Sequence, residues 1–462
     1  MVRSINFSIV ILSLTIGGCT AHYYKNNPID HIEQSQGYRL GVEQGLAERS
    51  DSLLVLLAFS GGGTRAAAYS YGVLEALRDI NINWEGRERR LIDEIDSISS
   101  VSGGSFTAAY YGLFGDRIFD DFESKFLKKD VQGHLTGSIY KPWTWLKIGS
   151  RFYGRSEYAA DYYDEILFEG KTFGDMAIEN GPLIQINATE VSTGTQFTFL
   201  QDIFDLLCSD LSTFPISRAV AASSAVPILF SSVTLDNRAG SCGYELPPAT
   251  IEALNDPDPL SRRRHLIEKY VKYLDSETYP YLHLYDGGLT DNLGIRPGVN
   301  RLALANNAWA LAKLRKLENV RRILFIVVNA QTEPKMYFSQ RAESVPLLDT
   351  ILGATSIPLN EYTFESLVTL KVALKKFARE FIQGRCAERA ESGEDTTDCD
   401  DFKEYMVIVD IDSLRDKDKR ERLEQLPTSF VLQPAEVDEL RAVAKTVLHQ
   451  SKDFQQFLSE LQ

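Results

Sequence analysis

A serine can cleave an ester only if its hydroxyl is presented, a base takes its proton and hydrogen-bond donors meet the charge that develops. Three short stretches hold candidates for these parts. In "IDSISSVSGGSFTAAYYGLF", residues 95–114, a strand pattern runs into Ser102, Gly103 and Gly104 follow, and a helical pattern begins. This is the layout of a nucleophile elbow, where small neighbours leave room for a tight turn and for the substrate. The usual G-x-S-x-G has Ser100 in place of its first glycine; of the nearby serines, Ser102 rather than Ser99, Ser100 or Ser105 stands where strand gives way to glycine. In "LLAFSGGGTRAAAYSYGVLEAL", residues 56–77, Gly61, Gly62 and Gly63 separate a strand from a helix. Unshielded amides at a helix N-terminus suit an anion. The Gly-Lys-Ser/Thr of a phosphate loop is absent and Ala66 fills the last glycine of a dinucleotide fingerprint, which leaves a plain tight turn or an oxyanion cradle.

The third stretch, "YLHLYDGGLTDNLGI", residues 281–295, puts Asp286 at the end of a strand, ahead of Gly287 and Gly288. A lone Asp-Gly is equally a hairpin turn. Asp291 offers a second carboxylate, read as a turn or cap residue. The six histidines are His22, His31, His134, His265, His283 and His449, and none has a distinctive local context. A serine triad through His283 or His449 is the rival to a carboxylate base.

The elements that must position these residues follow an α/β alternation from Leu53 onward. Strands are expected at 53–59, 95–101, 183–188, 195–200, 281–285 and 322–329, with helices over Thr64–Leu77, Gly104–Phe114 and Pro297–Leu317. Functional residues then gather at the carboxyl ends of the strands. Residues 240–280, with "LPPAT", "NDPDPL" and "SRRRH", read as a surface insertion in a domain spanning 52–335. Residues 336–462 read as a mainly helical extension, in which the amphipathic "LVTLKVALKKFAREFI" packs its apolar face on the core. The acidic "ESGEDTTDCDD" lacks the spacing of a calcium loop and reads as solvated.

At 462 residues and a net charge of -15 the chain has no basic footprint for nucleic acid, and nothing electrostatic draws it to anionic lipid. Membrane contact is expected instead from the N-terminus. Arg3 precedes an apolar run from Phe7 to Ile16, too short to span a bilayer, and "LTIGGC" resembles a bacterial lipobox. Residues 1–18 are then a signal peptide, Cys19 a lipidated first residue and 19–51 a tether. Thr20, in place of an aspartate after the cysteine, favours the outer membrane by resemblance to Gram-negative lipoproteins. Export implies an oxidising compartment, in which Cys208, Cys242, Cys386 and Cys399 permit two disulfides; proximity favours Cys208 with Cys242 and Cys386 with Cys399. No metal-ligand spacing and no cofactor motif is found, and the oligomeric state is left open.

Together the segments resemble the patatin-like phospholipases, which are related at the active site to cytosolic phospholipase A2. The resemblance rests on "GGGTR" at 61–65, "SVSGG" at 100–104 and "DGG" at 286–288, in that order. It is joined by "NATEVSTGTQFTF" at 187–199 and "AVAASSAVPILF" at 219–230, and covers residues 53–330. It implies a three-layer α/β/α fold on a central, mostly parallel sheet, with a Ser102–Asp286 dyad working through an acyl-enzyme. It also implies an oxyanion hole at Gly61, Gly62 and Gly63, with Gly103, Gly104, Gly287 and Gly288 shaping the turns. Arg65, at the family's basic position, is expected to orient the loop, to meet substrate phosphate or to make a structural salt bridge. The function expected is hydrolysis of acyl lipid at a bacterial envelope membrane. A non-catalytic lipid- or partner-binding lipoprotein, and an acyltransferase or small-ester esterase, are the alternatives.

Overall fold

Side-chain alternation along the central strands decides the layering. In β1, Leu53–Phe59, the odd-numbered Leu53, Val55, Leu57 and Phe59 enter one large apolar cluster. Ala58 and the neighbouring Leu56 join a second on the opposite face, and Leu54 packs on a third there. A strand apolar on both sides needs cover on both faces. A computed structural model, which describes residues 24–40, 49–139, 153–178, 181–305, 307–332 and 342–461, shows both layers of cover.

After β1 come a separate antiparallel ribbon, β2 (Asn81–Trp84) with β3 (Arg87–Arg90), and then the central strands β4 (Ile95–Val101), β5 (Leu183–Glu190), β6 (Thr195–Thr198), β7 (Val233–Asp236), β8 (Tyr281–Asp286), β9 (Arg322–Asn329) and β10 (Lys403–Asp410). β10, β9, β1, β4 and β5 run parallel in that order, while β8, β7 and β6 add antiparallel pairs. The helices that matter below are α1 (Gly63–Arg78), α2 (Gly103–Phe114), α3 (Ile216–Ser223), α4 (Arg262–Val271), α5 (Arg296–Leu304), α6 (Leu347–Ser392) and α7 (Pro434–Gln450). α1, α2, α3 and α7 bury their apolar faces in the large cluster on one side of the sheet. α5 and α6 cover the other side through Val299, Leu370, Leu374, Phe377 and Phe381. The amphipathic segment in α6 therefore packs on the core, with Lys371, Lys375 and Lys376 outward. Among the described residues no helix is long and apolar enough to cross a membrane.

The pairing at β5 places the site. β6 runs along one edge of β5, pairing Asn187 through Glu190. β4 pairs Leu183 through Asn187 in parallel, and β8 pairs Ala188 through Glu190 antiparallel. Because a strand edge accepts one partner at a time, β4 and β8 share the edge opposite β6 and meet end to end: Val101 faces Asn187, and Asp286 faces Ala188, the next residue. The residues that follow β4 and end β8 are thereby brought together.

The region beyond residue 336 is mainly helical but supplies β10 as well, which the sequence pattern did not reveal. Arg322 ties that region down, donating from Nη1 to Asp401 at 2.7 Å and from Nε to Glu460 at 2.6 Å. The long helix expected over Pro297–Leu317 is two helices, α5 and Ala308–Leu314. Cys208 is bonded to Cys242, and Cys386 to Cys399, the latter pinning α6 to the acidic loop. The 240–280 segment is anchored by Tyr273, fully buried in the large cluster, and by the Tyr270 hydroxyl on the Gln196 carbonyl at 3.0 Å. Residues 1–23, on which the expected signal peptide, Cys19 and His22 fall, lie outside the described residues.

α7 crosses α1 so closely that a methyl group at Gly72 would stand 2.5 Å from the Arg441 carbonyl oxygen. Backbone at that distance cannot yield as a side chain can. Gly72→Ala is therefore expected to destabilise the fold by about 1–3 kcal/mol, read as a lowered urea midpoint with an unchanged slope.

Candidate active site

Ser102 is the residue at which β4 turns into α2. Its backbone has φ 49° and ψ −120°, a region sparsely populated by residues with side chains and costing about 1–3 kcal/mol. The turn is held from below. The Ser102 amide donates to Ser223 Oγ at 2.9 Å, and Ser223 donates to the Asn187 carbonyl at 2.6 Å. Ser105 Oγ lies 3.0 Å from Ser223 Oγ and 3.1 Å from Ser100 Oγ, so its single proton serves one of them at a time. Ser100, the departure from the usual elbow, donates to the Gln185 carbonyl at 3.3 Å. Its hydroxyl bonds back into the sheet as a brace, and the serines beside Ser102 are structural.

Gly103 is required by close approach. A Cβ there would be driven into the Gly63 carbonyl oxygen, so the backbones of the elbow and the glycine loop are in contact. Gly62 and Gly63 have φ of 141° and 61°, which turn the chain into α1. Gly61 is beside Ser102, its ideal Cβ position 3.3 Å from that of the serine. Its amide, however, donates to the Asn292 carbonyl at 2.9 Å. That corrects the expectation of three equivalent oxyanion donors: Gly61 is engaged. Among the described residues the amides of Gly62, Gly63 and Gly103 have no protein acceptor. Two helix N-termini, of α1 and α2, converge on the same spot and add their positive ends.

Asp286 completes the group. Its amide donates to the Ala225 carbonyl at 3.0 Å and that of Gly287 to Ser223 at 3.1 Å, which fixes the strand end. The carboxylate accepts the Gly288 amide at 2.8 Å, and the Ser102 side chain lies close enough to favour its charged form. Ser102 is 5% and Asp286 8% exposed. Burial pushes the Asp286 carboxyl up to about 6, against the Gly288 amide and the nearby Ser102, which favour its charged form. No cation pairs with it among the described residues. Asp291, the second carboxylate, is buried to one side, where it accepts the Arg296 amide at 2.7 Å and caps the turn into α5.

The histidines are elsewhere. His283 lies on the opposite face of β8 from Asp286, its Nδ1 3.1 Å from Thr234 Oγ1. His134 stacks on Tyr162, His449 packs on Phe454, and His31 and His265 are exposed.

Arg65 does not reach the site either. It is 3% exposed, and its guanidinium donates from Nε to the Ala330 carbonyl at 2.9 Å, from Nη1 to the Leu426 carbonyl and from Nη2 to Thr428 Oγ1 at 3.0 Å. Burial lowers its pKa to about 10. The expected substrate-phosphate contact is thus corrected, and so is the salt bridge: the partners are neutral oxygens from the C-terminal region and from the end of β9. The same C-terminal segment backs the glycine loop, Thr64 donating to the Ser429 carbonyl at 2.9 Å. Ser223, Asn187 and Asn292 were not singled out from sequence. Two of them lie in the small-residue block and the Asn-Ala-Thr-Glu stretch, whose composition was noticed without a role.

A sheet that delivers a serine on a strained elbow, a glycine loop against it and a buried carboxylate beside it defines an α/β protein built for acyl-ester chemistry. Residues 57–299 match the family model described as patatin-like phospholipase, and the chain belongs to that family of lipid-hydrolysing esterases. Among solved structures it is similar to human GIVD cytosolic phospholipase A2, at 12% identity and a TM-score of 0.43, over 90% of this chain and 64% of that one. It is also similar to the same human enzyme in complex with methyl gamma-linolenyl fluorophosphonate, at 12% identity and a TM-score of 0.37, over 91% and 62%. The chain therefore spans less than two thirds of the length of these structures. No curated protein matches it.

Because the Arg65 fork is filled by carbonyls of the protein itself, Arg65→Lys should lower the melting temperature by several degrees. The ratio of kcat/KM for anionic and neutral esters should stay within twofold of the parent, since no substrate group is lost.

Proposed function

We propose that the protein is a lipid acyl hydrolase in which Ser102 is the nucleophile and Asp286 the base. The observation that carries this reading is that the sheet brings the Ser102 elbow beside a carboxylate whose proton affinity burial has raised. Ser102 Oγ attacks the ester carbonyl carbon as its proton passes to Asp286. The carbonyl oxygen takes up the charge and is met by the free amides of Gly62, Gly63 and Gly103. Collapse expels the alcohol half of the lipid, which leaves with the proton from Asp286, and the acyl group stays on Ser102. Water then repeats the sequence: Asp286 takes its proton, its oxygen attacks the acyl carbon, and the proton returns to Ser102 as the fatty acid departs. Two chemically equivalent half-reactions thus need one base.

The substrate is a phospholipid or lysophospholipid, and the place of action a bacterial envelope membrane, most readily the outer one. Support comes from the family and from the lipobox-like "LTIGGC". Acyl chains on Cys19 would hold an acidic enzyme at a surface that does not attract it by charge. A fluorophosphonate probe is expected to label the purified protein at Ser102 and to leave Ser102→Ala unlabelled, and the parent to release fatty acid from a phospholipid panel. Labelling that persists in Ser102→Ala sinks the nucleophile assignment. Labelling without release from any lipid points to a small-ester esterase, and neither labelling nor release to a binding lipoprotein.

The base predicts a pH profile. Asp286 accepts a proton only when ionised, so kcat/KM should rise through an apparent pKa near 6 and level off above about pH 7. His283→Ala should keep that limb unchanged. Stability has the opposite sign. A carboxyl whose folded pKa is raised contributes most below its unfolded value and loses that contribution as pH rises through about 6. The rise from 3.8 to about 6 is worth on the order of 3 kcal/mol. Asp286→Asn should therefore melt no lower than the parent at pH 7, while activity falls about 10²–10⁴-fold.

A further inference from the structure

A cleft of about 520 Å³ opens beside the Asp286 turn, where Gly288, Leu289 and Thr290 line it. Two of its lining residues belong to the site already described: Gly288, whose amide holds Asp286, and Asn292, whose carbonyl holds Gly61. Its other walls come from α4, from the start of α5 and from α6, and two cations face into it, Lys269 and Arg296. Neither has a carboxylate within salt-bridge distance among the described residues. Lys269 Nζ donates to the Gly194 carbonyl at 3.2 Å, which leaves two of its protons free. Arg296 lies flat on the Tyr362 ring, 3.9 Å from its centre, and donates to Ser366 Oγ at 3.2 Å, while its Nε is buried without a partner. Burial first, and then the neighbouring Arg296 and Lys272, pull the Lys269 ammonium below its usual pKa. Asp291, buried behind Arg296, feels its charge and accepts its backbone amide at 2.7 Å, but makes no salt bridge with its guanidinium.

Two like charges share a cleft, partly desolvated, in a chain of net charge -15. Each raises the cost of the other, and an anion between them removes that cost. In a glycerophospholipid the phosphorus is only a few bonds from either ester carbonyl, so a phosphate subsite has to border the reacting serine. Arg65 cannot supply it, being enclosed by protein carbonyls.

We propose that this cleft is the head-group subsite, in which Lys269 and Arg296 hold the phosphodiester of the lipid whose ester lies at Ser102. The proposal rests on the lipid-hydrolase reading above and narrows it to anionic, phosphate-bearing substrates. Leu289 and Tyr362, both exposed at the rim, offer apolar contact to the glycerol and the start of the chains.

The test reads binding rather than turnover, on the full chain carrying Ser102→Ala. Short-chain phosphatidylglycerol below its micellar concentration, the diacylglycerol with the same chains, and inorganic phosphate are titrated separately. In Lys269→Gln/Arg296→Gln the phosphatidylglycerol should bind at least tenfold more weakly, with diacylglycerol binding changed less than twofold. The charge-keeping Lys269→Arg/Arg296→Lys should lose no more than about threefold, and the single change Lys269→Gln gives an intermediate loss if the double variant folds poorly. Equal weakening of both lipids, or of neither, overturns the subsite. Inorganic phosphate that binds as tightly as phosphatidylglycerol overturns the head-group assignment in favour of a free-anion site. Head-group selectivity that persists in a parent protein releasing no fatty acid would keep the subsite and sink the hydrolase. Hydrolysis without charge-dependent binding would do the reverse.

Discussion

The site depends on a shared strand edge. β5 has β6 along one side, so β4 and β8 must take successive stretches of the other, approaching from opposite directions. Where two strands abut in this way neither can continue, and both chains have to leave the sheet at the same point. One leaves through the Ser102 elbow into α2, the other through Gly287 and Gly288. Asn187 sits at the join, with its side-chain amide on Ser99 and on the Ser100 carbonyl and its own carbonyl accepting Ser223. The proximity of hydroxyl and carboxylate is therefore a property of the sheet's pairing, and side-chain packing only refines it.

The distribution of charge sorts the site into parts with different needs. A carboxylate paired with an arginine would be a weaker base, because the cation stabilises the ionised form. Asp286 is kept away from cations and in a dry place, and the fold bears the resulting strain. The guanidinium nearest the glycine loop, that of Arg65, is surrounded by neutral oxygens, so it stiffens the loop without a compensating carboxylate near the nucleophile. In the proposed reaction, charge beside Ser102 is limited to partial charges of amides and helix ends, which strengthen no resting state of a neutral ester but would meet an oxyanion.

Much of this was legible in the sequence. β1 and β9 fall on the residues expected because strands buried on both faces read as apolar runs, whereas β4, with Asp96 and three serines among its seven residues, was marked by the glycines and helix pattern that follow it. β10 was hidden because it is an edge strand with alternating exposure, following an acidic loop and lying among helices. Ser102 and Asp286 were singled out by local turn chemistry and by the order of the motifs, but their meeting depends on which strand pairs with which edge of β5. Arg65 was misread for the same reason. Its partners lie 265 to 363 residues away in the chain, and no local pattern marks a carbonyl as the end of a long-range hydrogen bond. The engaged Gly61 amide is similar, since three adjacent glycines look alike until one of them finds Asn292.

The family match ends at residue 299, yet the glycine loop is braced by residues beyond 425. The Ser429 carbonyl against Thr64, the Leu426 carbonyl on Arg65 and the Phe430 ring against Phe106 at the start of α2 all come from that later stretch. The unit that is recognisable by descent is thus smaller than the unit that keeps its shape. A substitution in that later stretch would be felt first as a loosening of the glycine loop, whose neighbour Arg65 lies 361 residues before Leu426.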